Sequence, residues 1–69
     1  MRDYSVDELN ILINQWIRGR NAARNREIFR KSFIDGVTQE KIAEEYDMSV
    51  RQIQNIIYAC QRQLFPHLQ

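Results

Sequence analysis

The sequence predicts an all-α protein: a single four-helix domain over residues 1–69 that contains a helix-turn-helix. Apolar residues recur at helical spacing along most of the chain, and no segment sustains the period-two alternation of a strand. Two capping-box patterns, Ser5 with Glu8 and Ser49 with Gln52, mark helix starts, because the Ser hydroxyl and the Glu or Gln side chain each satisfy a backbone N–H that lacks an intrahelical partner. Between Thr38 and Tyr58 only Asp47 and Met48 separate one helical pattern from the Ser49 cap of the next. Helices joined so tightly must cross steeply, and Ala43 is the small residue at their approach.

In chain order, a first helix is expected from about Val6 to Arg18. At ~100° per residue Val6, Leu9, Leu12, Ile13, Trp16 and Ile17 form one stripe, leaving Ile11 on the polar side. Gly19 would end it in the left-handed conformation. Asn21 would cap a second helix, about 21–35, whose inner face carries Ala22, Phe29 and Phe33 with Ile28 at the margin; Gly36 stops it. The helix-turn-helix spans about 38–64. Thr38 caps its first helix, whose inward residues are Ile42, Ala43 and Tyr46, and the second runs from Val50 to about Leu64, where Pro66 closes it.

Composition narrows the functional classes. A chain of 69 residues lies near the lower limit for a self-sufficient core, and with 43% apolar residues a homodimer or larger partner is an open possibility. One cysteine, Cys60, precludes an intramolecular disulfide and reads as a small buried hydrophobe, while His67, the one histidine, reads as a surface residue; no metal-ligand cluster or cofactor motif appears. There is no apolar run near the ~20 residues that span a bilayer, and no signal-peptide core, so a cytoplasmic protein without a membrane partner is expected. No nucleophile–base pair, paired carboxylates or glycine-rich phosphate loop suggests catalysis, so an enzyme is not expected.

The net charge of +1 says little, but its distribution says more. Arg18, Arg20, Arg24, Arg26, Arg30 and Lys31 gather the basic charge in mid-chain, either as a solvated helix surface or as a phosphate-facing flank. The last helix has Ile53, Ile56, Ile57, Cys60 and Leu64 on one face and Arg51, Asn55, Tyr58 and Arg62 opposite, with Gln54 and Gln61 on a flank. It contains no acidic residue, whereas a helix needing only solubility would carry Glu and Lys outward. Amides suit adenine, Arg suits guanine, and Val50 could meet a thymine methyl. Double-stranded DNA is therefore the expected partner, contacted by Ser49, Val50, Arg51, Gln52, Gln54, Asn55, Tyr58 and Arg62, with Gln39 and Lys41 at phosphates. Glu44 and Glu45 must then point away from the duplex.

The segment FIDGVTQEKIAEEYDMSVRQIQNIIYACQRQLFPHL resembles the C-terminal promoter-reading region of bacterial sigma factors, with Thr38, Ile42, Ala43, Ser49, Ile53, Ile56, Arg62, Leu64, Pro66 and His67 carrying the likeness. The preceding NREIFRKSFIDG is similar to the helix before that motif, so the resemblance covers Asn25 to Leu68. It implies a four-helix region that reads an upstream promoter element and docks on RNA polymerase, with base contacts by Val50, Arg51, Gln54 and Asn55. The closing element departs from the family in order and composition. Family members usually carry arginine and glutamate where this chain has Val50 and Arg51, so a different DNA preference is expected. Asp47 stands where glycine is commonest in the general motif. The 69 residues hold no counterpart of the domain that melts promoter DNA, which favours a small sigma-like regulator of phage or mobile-element type. Competing readings are a protein-interaction module for RNA polymerase or a phage assembly protein, motivated by Ile11 and the wide first-helix stripe, and the DNA-docking domain of a recombinase or terminase.

Overall fold

A computed structural model of the chain describes residues 3–68. It contains helices α1 (Val6–Trp16), α2 (Ala22–Phe33), α3 (Gln39–Tyr46) and α4 (Val50–Leu64), closed by a 3-10 turn, Phe65–His67; the fold is all-α with no strand among the described residues. The radius of gyration, 11.7 Å, is close to the ~11 Å of a compact chain of this length, so the four helices share one core.

Both capping boxes form. Ser5 Oγ accepts from the Glu8 N–H at 3.1 Å and the Glu8 carboxylate accepts from the Ser5 N–H at 3.0 Å. Ser49 and Gln52 exchange the equivalent bonds at 3.1 and 2.9 Å, and Thr38 Oγ1 accepts from the Lys41 N–H at 3.3 Å. These bonds set the starts of α1, α3 and α4 because each gives an otherwise unpaired first-turn donor a partner.

The first two helices depart from the sequence expectation. α1 ends at Trp16 rather than Arg18, because Ile17 turns to an extended conformation and buries its side chain in the core. Gly19 lies beyond this break, at φ 109°. Asn21 does not cap α2 through its side chain; it is itself left-handed at φ 61°, and the helix starts at Ala22 and ends at Phe33, short of Asp35. Val6 is 55% exposed instead of inward, Phe33 is 42% exposed, and Ile28, expected at the margin, is fully buried. The α2 stripe is rotated toward Ile28 because α2 must cover α4 as well as α1.

The core consists of Ile13, Ile17, Ile28, Phe29, Ile42, Ala43, Ile53, Ile57, Cys60 and Leu64. α4 is its hub: it contacts the other three helices, α2 most extensively. Ile56 and Tyr46, expected inward, are half-buried at the edge of this cluster.

α3 ends on a built stop. Asp47 is left-handed at φ 55°, ψ 48°; the Met48 N–H donates to the Ala43 carbonyl at 2.9 Å and the Asp47 N–H to the Glu44 carbonyl at 3.3 Å. This is the two-bond arrangement in which glycine is favoured, because a Cβ is strained at positive φ. Asp47→Gly is therefore expected to stabilise the fold by about 0.5–1 kcal/mol, and Asp47→Val, whose branched side chain tolerates that backbone least, to destabilise it by at least about 1 kcal/mol. Urea denaturation with an unchanged slope and opposite midpoint shifts would check both.

Cys60 is 1% exposed, and its thiol points at the Asn25 carbonyl at 3.8 Å. Burial pushes the thiol up from 9.0 to about 11. The folded state thus keeps a proton that the unfolded chain loses, so this contribution to stability is full below pH 9 and disappears as pH rises toward about 11. Burial also raises the Tyr46 phenol, which acts in the same alkaline direction. Native Cys60 should react with a disulfide reagent no faster than the chain opens, and at the rate of a free thiol once urea unfolds it. Rapid labelling at neutral pH without denaturant would contradict this burial.

Candidate nucleic-acid interface

The solvent side of α4 is built by its packing. With Ile53, Ile57, Cys60 and Leu64 locked inward, helical periodicity places Arg51, Gln52, Asn55, Tyr58 and Arg62 in solvent, and all five are exposed. No carboxylate lies on α4, so the face offers guanidinium, amide and phenol groups alone.

The other predicted residues are placed less simply. Val50 is half-buried against the edge of the core, which limits the surface it can offer a base. Ser49 Oγ is occupied by the Gln52 N–H, and Gln52 Oε1 by the Ser49 N–H; the Gln52 amide nitrogen is not used in the box. Lys41 is exposed on the first turn of α3. Gln39, at the start of the same helix, meets Gln54 of α4: Gln54 Nε2 donates to Gln39 Oε1 at 3.0 Å. The structure thus brings together two residues that the sequence suggested separately, and joins the α3 N-terminus to the flank of the exposed α4 face.

The acidic residues of α3 and its turn, Glu40, Glu44, Glu45 and Asp47, are all exposed. Glu45 is drawn to α2, where its carboxylate lies 3.0 Å from Lys31 Nζ. The hydrogen bond and charge of Glu45 raise the Lys31 ammonium above its ordinary value. This pair is solvent-exposed, so it orients Glu45 more than it stabilises the fold.

Several arginines of the basic run find acceptors within the fold. Arg30 Nε donates to Asn10 Oδ1 and its Nη2 to Asn14 Oδ1, both at 2.7 Å, clamping α2 to α1. Arg26 Nε donates to the Ile17 carbonyl at 2.7 Å, satisfying the backbone at the broken end of α1. Arg24 bonds its neighbour Asn25, and Arg18 the Gln15 carbonyl. The fork of an arginine reaches such acceptors while its charge stays solvated. The paired spacing of Asn10 and Asn14 on one side of α1 was the available sequence signal for the Arg30 clamp.

Sequence reasoning also missed the closure of the C-terminus. The rings of Trp16 and His67 stack with centroids 3.5 Å apart and planes 6° apart, so His67 is a surface residue with a defined partner. Gln63 Nε2 donates to the Arg18 carbonyl at 3.0 Å beside it. Beyond Arg62, an open depression is lined by Tyr58, Gln61, Arg62, Phe65 and Pro66. Phe65 also packs on Phe33, with centroids 5.9 Å apart.

Among the described residues there is no group of His, Cys, Asp and Glu suited to a metal ion, and no helix long and apolar enough to cross a membrane. Comparison of the chain with protein-family models, with curated proteins and with solved structures finds no match.

Proposed function

We propose that this protein binds double-stranded DNA sequence-specifically and regulates transcription, with α3, its tight link and α4 serving as a helix-turn-helix. The observation that carries the reading is the exposed, carboxylate-free face of α4 bearing Arg51, Gln52, Asn55, Tyr58 and Arg62. Such a face can approach phosphates without repulsion and can both donate to and accept from base edges in the major groove. Lys41 and the first turn of α3 grip phosphate, while Arg51 and Asn55 read bases. The sigma-like pattern of the sequence supports a role at promoters with RNA polymerase as a partner, as a small regulator of phage or mobile-element type.

α2 contributes less to the grip than its composition suggests, since Arg26 and Arg30 are engaged within the fold and Lys31 with Glu45. With a net charge of +1, a monomer should bind modestly, and dimerisation or polymerase would supply the remaining affinity.

The test is selection of sites from random duplexes followed by anisotropy titration over a range of salt. The wild type should prefer selected over random duplex, and Lys41→Ala should weaken all duplexes similarly while lowering the salt slope by about 1. Equal binding of selected and random duplexes would defeat sequence-specific recognition, and no binding to either would defeat DNA binding altogether.

A second reading, a protein-docking module, is favoured by the aromatic depression at Tyr58, Phe65 and Pro66 and by Ile11, which is 64% exposed. Retention of RNA polymerase by a variant with Arg51, Asn55 and Tyr58 all replaced by alanine would favour it.

A further inference from the structure

The Gln39–Gln54 bond bears on which base pair α4 reads, an inference that rests on the DNA-binding proposal. Gln54 lies on the second turn of α4, beside exposed Arg51 and Asn55; Gln39 is the first residue of α3. Both are half-buried, and the 3.0 Å bond commits one Nε2–H of Gln54 and the Oε1 of Gln39. Gln54 retains its Oε1 acceptor and one N–H donor; Gln39 retains both amide donors.

An acceptor beside a donor complements the N6–H and N7 of adenine, whereas guanine presents two acceptors at the same edge. A free glutamine amide can turn over and exchange its two ends. Here, turning Gln54 alone would set two carbonyl oxygens against each other. Turning both amides together would restore the bond, but not while the Gln39 amide nitrogen is held at a phosphate oxygen. The order of acceptor and donor offered by Gln54 is then fixed, and with it the strand on which adenine must lie.

We infer that Gln39 is a positioning residue for Gln54: held by a backbone phosphate, it fixes the Gln54 amide so that α4 selects an A·T over a T·A pair at one position of the target.

The experiment uses the full chain and the duplex obtained by selection, with A·T, T·A and G·C placed in turn at each position. Wild type should prefer A·T over T·A by about tenfold at one position, and Gln54→Ala should erase that preference there alone. Gln39→Ala should reduce the same preference to within about twofold and weaken every duplex several-fold, with no further loss of preference when combined with Gln54→Ala. Gln39→Glu separates the two roles. Its carboxylate still accepts from Gln54 Nε2 and cannot be turned into a donor, but it repels phosphate, so the A·T preference should persist while affinity falls on all duplexes. Thermal melting within a few degrees of wild type shows that each variant is folded.

If Gln39→Ala leaves the base preference intact, or Gln54→Ala changes no position, the inference is overturned while DNA binding stands. If wild type discriminates among no duplexes, the DNA reading fails first and this inference with it.

Discussion

Phe29→Ala is expected to destabilise the fold by about 3–5 kcal/mol, the cost of deleting a large aromatic from a packed core. Phe29 is the largest fully buried side chain, and its ring stacks on Phe33 with centroids 5.1 Å apart. The consequence is large because the chain is small. Stability of roughly 0.05–0.15 kcal/mol per residue leaves only several kcal/mol in total, so the variant should be partly or wholly unfolded at 37 °C. If it still melts cooperatively, its midpoint should lie about 12–40 °C lower, given ~4–8 °C per kcal/mol for a domain of this size. Ile11→Ala, at a 64% exposed position, is the control and should change stability by less than about 0.5 kcal/mol. Circular dichroism melts of both variants decide the matter: similar melting of Phe29→Ala and wild type would mean that α2 does not close the core in the way described.

The second large effect concerns binding. Combined Arg51→Ala and Asn55→Ala should weaken the selected duplex by about 2–6 kcal/mol, from losses of about 1–3 kcal/mol for each well-aligned base contact. Both side chains are exposed, so the melting temperature should scarcely move. The loss should be uneven. On random duplex Asn55 contributes little, and Arg51 contributes chiefly as a positive charge. The variant's preference for the selected site should therefore collapse toward non-specific binding, with a salt slope lowered by no more than about 1. An anisotropy titration in which the variant still prefers its site by the wild-type margin would remove these residues from base recognition and shift attention to the depression at Tyr58 and Phe65.

Together with Asp47→Gly and the protected Cys60 thiol, these outcomes test the scaffold separately from its use. That separation matters because legibility was uneven along the chain. The second half read well. Thr38, Ser49 and Gln52 act through bonds spanning three residues, and Ile53, Ile57, Cys60 and Leu64 mark one face of a long helix, so local rules sufficed for α3 and α4. The first half read less well. Nothing within a few residues of Ile17 indicates that burying it takes precedence over continuing α1, or that Asn21 will be left-handed rather than a cap. These outcomes are set by where α1 and α2 must lie on α4.

The candidate interface divides in the same way. The exposed character of Arg51, Asn55, Tyr58 and Arg62 was legible because it is the complement of an apolar stripe. The roles of the α2 arginines were not. A guanidinium suits a phosphate and an asparagine oxygen equally well, and only the position of Asn10 and Asn14 across from Arg30 shows which acceptor it finds within the chain.

The sequence by itself determined the all-α class, the capped starts of α1, α3 and α4 and the carboxylate-free side of α4. Each depends on neighbours within a turn or on helical periodicity, and such interactions are written in the order of residues. The tertiary structure alone decided where α1 breaks, which arginines are spent on holding helices together, and that Gln39 and Gln54 meet. Those contacts join residues distant in the chain, and their partners are selected by the way four short helices share one small core.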